Sequence, residues 1–361
     1  MIAPPPRILM TTDAVGGVWR YTLDLARRWK MRGTRPVVAL LGPVPESARA
    51  EESGLAVVHT GLPLDWTAPN AGMVSAAAQT IAHLAQDCDA SSIHLHTPAL
   101  VPDACPVPVV AVAHSCVRTW WQAVRGGTPL PSDLAWRAGM VDRGLRCADA
   151  VIAPSHSFAS VLRGAYGPVL DIVVIRNGGE RWSGPDRRKA ARAITAGRLW
   201  DEGKNVDTLD RAAGRIATPV LAAGPAEGPN GARIQTRHLK LLGPLLPRQL
   251  ERLVSSSRIF VSLSRYEPFG LAVLEAAQTG AALVLSDIPT FHELWDGAAV
   301  FVPPDDDAAA AVQIAALAEA PGDWSGRARE RAQAYTAETM ADATLAVHRR
   351  LALASETRRA A

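Results

Sequence analysis

The chain has 361 residues, of which 48% are hydrophobic and 20% charged, and it carries a net charge of +3 at pH 7. That is enough chain for two domains of ordinary size and too apolar a composition for a disordered segment. A charge this small makes no case for nucleic acid, and no stretch approaches the roughly 18 consecutive apolar residues that span a bilayer. The N-terminus lacks a charged region followed by an apolar one, and Cys88, Cys105, Cys116 and Cys147 form no CxxC pair. Both features lead to the expectation of a cytoplasmic protein with reduced thiols.

Short apolar runs read as strands at 7–12, 36–41, 91–96, 108–113, 150–154 and 171–175, with helix-period stretches between them at 18–31, 73–86, 134–147 and 156–165. Residues 176–192 are polar and rich in Gly and Arg, which reads as a boundary, and a linker is expected over 179–192. The alternation then restarts, with strands expected at 193–197, 219–224, 239–243, 259–264, 281–286 and 299–303, and the last ~35 residues carry helix pattern only. This βα alternation predicts an α/β fold of two doubly wound, Rossmann-like domains, one over 1–178 and one over 193–335, followed by a C-terminal helix and tail over 336–361. Ligands of such sheets bind at the carboxyl ends of the strands, and two sheets facing each other would form a cleft.

The residues just after the strands are therefore the candidates. Gly16 and Gly17 stand where the first strand gives way to a helix, in a position for a tight turn or for close approach of a bound group. His114 follows the fourth run, and "VRTWWQAVR" places Trp120 and Trp121 between Arg118 and Arg125 just beyond it. Tryptophan faces suit sugar rings, and Trp with Arg suits a membrane interface; core packing with a solvated basic edge is the other reading. A further basic cluster, "ARRWKMRGTR" at 26–35, includes Trp29.

In the second domain, "GRLWDEGKN" puts Arg198 and Lys204 across a short loop, two cations suited to a diphosphate. The spacing misses the P-loop by one residue, and Asn205 stands where a metal-binding hydroxyl belongs. "SRYEPFGLAVLEA" then places Glu267 at a strand end and Glu275 on an apolar helix. Pro268 suits a first helical turn, so Phe269, Gly270 and Leu271 would offer free backbone N–H groups to an anion, and the carboxylates would lie about 12 Å apart along the helix. A carboxylate on so apolar a helix needs either a cation or a ligand with hydroxyl donors. Asp305, Asp306 and Asp307 open a helix, where capping explains them better than a metal does.

Taken in order, the Gly16–Gly17 turn, the "AHS" histidine, "VIAPS…YG…VIRNG", "GRL…K" and above all the E-x7-E element "EPFGLAVLEA" resemble the retaining GT-B glycosyltransferases of family 4, over nearly the whole chain from Ile8 to about Arg350. The resemblance implies a metal-independent enzyme with no cofactor, whose partners are a nucleotide sugar and a sugar or lipid-linked acceptor. It implies that Glu267 contacts donor-sugar hydroxyls and Glu275 the ribose, that Arg198 and Lys204 hold the diphosphate, and that Gly17 approaches the phosphates. His114 would line the sugar site, and the C-terminal helix would cross back to the first domain. An acceptor site at Trp120 and Trp121 and peripheral contact with the inner membrane face are further expectations. A loop one residue longer between Arg198 and Lys204, "IRNGGE", and "TGAALV" depart from the usual pattern around the donor site. A sugar-nucleotide epimerase and a catalytically silent nucleotide-sugar binder are the alternatives.

Overall fold

The computed structural model describes residues 6–14, 16–43, 54–168, 170–182 and 189–360. Two compact units are present, one formed by Met1–Asn177 with Ala337–Ala361 and the other by Gly178–Thr336. In the first, β1 (Arg7–Asp13), β2 (Arg35–Leu41), β3 (Ala56–His59), β4 (Ser92–Leu95), β5 (Val109–Val112), β6 (Ala150–Ala153) and β7 (Ile172–Val174) form one parallel sheet in the order 3-2-1-4-5-6-7. Strands β4, β5 and β6 are buried at every position; β5 and β6 read as unbroken apolar runs, whereas β4 buries Ser92 and His94 between Ile93 and Leu95. The edge strand β3 was not expected from sequence; its apolar run, residues 55–58, is short and the strand is largely exposed. The helices are α1 (Gly17–Met31), α2 (Ala71–Asp87), α3 (Val117–Val124), α4 (Ser132–Cys147) and α5 (His156–Tyr166).

The second unit holds β8 (Ala190–Ala196), β9 (Val220–Ala223), β10 (Lys240–Gly243), β11 (Ser257–Ser262), β12 (Ala282–Ser286) and β13 (Val300–Val302), all parallel, in the order 10-9-8-11-12-13. Its helices are α6 (Val206–Ala213), α7 (Pro247–Ser255), α8 (Leu271–Gln278), α9 (Pro289–Trp295), α10 (Asp307–Glu319) and α11 (Trp324–Ala332). Trp182, in the stretch expected to be a linker, is buried in this unit's core, and its amide donates to the Gln278 side chain at 3.1 Å. In each unit the strand order reverses beside the first strand, between β1 and β4 and between β8 and β11, which is where a doubly wound sheet leaves a crevice for a ligand.

The last helix, α12 (Ala337–Ala360), packs on α1 in the first unit. Trp29 is fully buried and donates its indole N–H to the Ala341 carbonyl at 3.1 Å, so it is core and not a membrane-facing residue. Arg28 pairs with Glu338 at 2.7 Å and Arg32 with Asp342, which takes up much of the charge the 26–35 cluster would offer an anionic surface. Among the described residues no helix is long and apolar enough to cross a membrane. The Asp triplet is likewise occupied: Asp306 caps α10 by accepting from the Ala309 amide at 2.8 Å, Asp305 pairs with Arg265 and Asp307 with Arg215, each at 2.5 Å.

Candidate functional site

The crevice of the second unit is built from the loops after β8 and β11. Gly224, after β9, allows the approach on its side: a Cβ there would lie 1.8 Å from the Gly197 carbonyl oxygen, so no other residue fits against the end of β8. The chain then turns through Arg198 to Asn205. Asp201 faces into this loop, accepting from the Gly203 amide at 2.9 Å and pairing with Arg198 at 3.2 Å. Its carboxylate is thereby spent internally and is not directed at an anion outside the loop. Asn205 adopts a left-handed conformation, and its side-chain amide donates to the carbonyls of Leu263 and Pro304 at 2.9 and 2.7 Å. The Gly203 carbonyl accepts from the Arg265 amide at 2.9 Å. These bonds stitch the two strand-end loops together.

The result is a contact that sequence reading did not foresee. Lys204 Nζ lies 2.5 Å from Glu267 Oε2, with side chains 23% and 14% exposed. A cation expected to hold phosphate and a carboxylate expected to hold sugar hydroxyls are partners. An ammonium has three donors, so this pairing leaves Lys204 able to bind a second anion.

Helix α8 begins at Leu271, not at Pro268. Gly270 caps it in the left-handed region at φ 92°, a conformation that a residue with a Cβ adopts only under strain. Phe269 is 2% exposed and its ring stands edge-on to Tyr335 at 5.7 Å, so only its backbone is available to a ligand. The Val273 and Leu274 amides donate to the Gly270 carbonyl at 3.0 and 3.1 Å, so the amides at the positive end of the dipole that a ligand could use are those of Leu271 and Ala272. Glu275 comes one turn later, about 6 Å along the axis from Leu271, so the expectation of two helical turns between the carboxylates fails. It shares a half-exposed stripe with Leu271 and Gln278, while Val273, Leu274, Ala276 and Ala277 face the core. The helix is thus less apolar around Glu275 than its sequence suggests. A helix N-terminus, two cations on one loop, and carboxylates on the adjoining loop and helix suit an anionic group that also carries hydroxyls.

In the first unit, Gly16 caps α1 at φ 85°, and both Gly16 and Gly17 are exposed. His114 follows β5 and is partly exposed, and its Nε2 lies 3.0 Å from His96 Nδ1. Burial pushes His114 down to about 4, so its ring is uncharged at neutral pH. His96 stands at a strand end as His114 does, and the same criterion applied to "SIHLHTP" would have found it. Trp120 and Trp121 are half-buried on α3, with ring centroids 6.3 Å apart. Trp121 donates its indole N–H to the Thr128 carbonyl at 3.2 Å and stands under Arg125, whereas Arg118 is turned onto the Tyr166 ring.

Comparison with known proteins matches this framework. The family model "Glycosyltransferase Family 4" matches residues 15–179, and "Glycosyl transferases group 1" matches residues 190–320. Among curated relatives, a GDP-mannose:cellobiosyl-diphosphopolyprenol alpha-mannosyltransferase of Xanthomonas oryzae pv. oryzae is 43% identical over 90 residues, 24% of this chain and 23% of the relative. A glycogen synthase of Mycobacterium tuberculosis is 30% identical over 266 residues, 67% of this chain and 63% of the relative. The chain thus spans less than two thirds of the length of either. Among solved structures, sucrose-phosphate synthase from Thermosynechococcus elongatus superposes with a TM-score of 0.77 at 18% identity, covering 97% of this chain and 100% of the other. Anabaena HepE in complex with UDP-glucose gives 0.71 at 18% identity, covering 94% and 99%.

Proposed function

The chain belongs to glycosyltransferase family 4 and has its GT-B fold of two Rossmann-like units, and from that premise we propose that it is a retaining glycosyltransferase, moving a sugar from a nucleoside-diphosphate sugar to an acceptor hydroxyl without a metal ion. The observation that carries this reading is the Lys204–Glu267 contact at the mouth of α8, beside Arg198. Breaking the sugar–phosphate bond builds negative charge on the departing diphosphate. Arg198, Lys204 and the first-turn amides of α8 are placed to stabilise it, and fixed donors of this kind are effective because they need no reorganisation as the charge develops. Glu267 would then accept from sugar hydroxyls and Glu275 from the ribose, and His114, Gly16 and Gly17 are proposed as donor contacts on the family resemblance alone. Among the described residues no side chain stands out as a covalent nucleophile, and the family resemblance suggests attack by the acceptor on the face the diphosphate leaves. The test is incubation with UDP-, GDP- and ADP-sugars in the presence of EDTA, followed by NMR of the anomeric proton. Hydrolysis or transfer with the donor configuration kept is the expected result. Inversion would defeat the retaining assignment, a strict need for Mg or Mn the metal-independent one, and an epimerised nucleotide sugar would favour an epimerase.

For the acceptor, the half-buried Trp120–Trp121 pair, just after His114 in the chain, is the proposed stacking surface for a sugar ring, free or lipid-linked. Changing both tryptophans to alanine is expected to leave nucleotide binding and slow donor hydrolysis near wild type while transfer falls about 5- to 150-fold, as loss of roughly 1–3 kcal/mol of stacking would produce. A joint fall in nucleotide affinity and melting temperature would make the pair packing residues and send the acceptor site elsewhere.

A further inference from the structure

A line of polar side chains runs inward from His114. His96 Nδ1 lies 3.0 Å from His114 Nε2, and His96 Nε2 lies 2.9 Å from the Thr22 hydroxyl on α1. Thr22 is fully buried, and its hydroxyl lies 2.8 Å from the Val18 carbonyl and 3.0 Å from the Thr12 hydroxyl. Tyr21 stands edge-on to both imidazoles, with centroids 5.2 Å from His96 and 4.7 Å from His114, and fixes their planes. Its hydroxyl is held by Thr344 of α12.

Proton placement along this line is determined by its inner end. The Thr22 hydroxyl has one proton and two acceptors on its inner side, the Val18 carbonyl at 2.8 Å and the Thr12 hydroxyl at 3.0 Å, whose own proton is directed to the Asp13 carbonyl at 3.2 Å, and the proposal takes the Thr22 proton to go to one of these two. The Thr22 oxygen must then accept from His96, which puts the His96 proton on Nε2 and leaves Nδ1 as a lone pair. That lone pair must accept from His114, which puts the His114 proton on Nε2. Burial holds both rings in the uncharged form, His96 well below its ordinary value and His114 at about 4, so one proton per ring is the state at neutral pH. The outer nitrogen of His114, Nδ1, makes no hydrogen bond among the described residues and carries the remaining lone pair.

We propose that His96, oriented by Thr22, is a positioning residue that fixes His114 as its Nε2–H tautomer, so that His114 Nδ1 accepts a hydrogen bond from a hydroxyl of the bound donor sugar. The sugar part of this rests on the glycosyltransferase reading; the tautomer does not. Neither His96 nor Thr22 touches the substrate. Their effect is to set the polarity of the atom that does: an acceptor selects a hydroxyl, whereas the opposite tautomer would present a donor to it.

Long-range 1H–15N spectra of the full chain labelled in histidine distinguish the two tautomers at pH 7, with the His114 signals assigned by their absence in His114→Gln. His114 and His96 are both expected as Nε2–H. Thr22→Val keeps the side-chain shape and removes the acceptor. It is expected to give His114 as a mixture of tautomers and to lower kcat for the donor about 3- to 10-fold, as loss of one neutral hydrogen bond would, with little change in its KM. Thr22→Ser is expected to restore both. A wild-type spectrum with the His114 proton on Nδ1 overturns the proposal without any variant, and so does a Thr22→Val protein with tautomer and rate unchanged. If the wild-type chain turns over no nucleotide sugar while His114 is Nε2–H, the functional reading falls and the relay stands.

Discussion

Replacing Lys204 with alanine is expected to weaken binding of a nucleoside diphosphate about 10- to 150-fold while leaving nucleoside binding nearly unchanged. A hydrogen bond to a charged group contributes roughly 1.5–3 kcal/mol, which gives that range. Two terms push in the same direction. The ammonium is lost, and Glu267, now uncompensated, repels the phosphates from 2.5 Å beyond the lost cation. Glu267 is 14% exposed, so leaving it unpaired also destabilises the fold, by about 1–2 kcal/mol and less than the 3–5 kcal/mol of a fully buried pair. Lys204→Met keeps the stem and removes only the charge, which separates packing from electrostatics. Arg198→Ala is expected to follow the same pattern more weakly, because Arg198 is 38% exposed and shares its charge with Asp201. Calorimetric titration with a nucleoside diphosphate and its nucleoside checks this, beside a melting curve for each variant. Normal diphosphate binding by both variants would remove the phosphates from this loop.

Glu267→Ala is expected to lower turnover of the nucleotide sugar about 100- to 1000-fold, in the range for loss of one fixed polar group acting on a transition state, yet to bind the nucleoside diphosphate as well as wild type or better. The reason is the same ion pair. Without Glu267, Lys204 presents its full charge to the phosphates. Glu275→Ala should do the reverse, losing nucleotide affinity with a smaller effect on the chemical step, because it sits a turn along α8 from the amides that face the anion. The double variant lacking Lys204 and Glu267 should bind diphosphate better than the Lys204 single variant, since the stranded carboxylate is gone; residues in direct contact are expected to be non-additive. Equal loss of nucleotide binding in Glu267→Ala and Glu275→Ala would contradict this division of labour.

Most of the sheet was legible because buried parallel strands are mostly apolar, and such runs can be seen in one dimension. The exception shows the limit of that signal. Strand β3, at the sheet edge, is only four residues long and mostly exposed, so its apolar residues 56–58 are too short a run to stand out. The start of α8 was misjudged for a related reason: Pro268 is compatible with a first turn, but Phe269 is drawn into the core against Tyr335, 66 positions away, and Gly270 takes the cap.

By itself the sequence determined which residue types stand after which strands, because local periodicity marks the strands and function in a doubly wound sheet gathers at their carboxyl ends. It therefore named Arg198, Lys204, Glu267, Glu275 and His114, and the E-x7-E spacing tied them to a family. Tertiary structure alone decided what these groups touch. Lys204 meets Glu267 across 63 positions, Arg28 and Arg32 are neutralised by α12 across about 310, and His114 is joined to Thr22 through His96. Such contacts leave no periodic trace, since a charge or an imidazole is compatible with many local environments. Only the packing of strand ends against distant loops and helices fixes the partner, and with it the direction of each hydrogen bond.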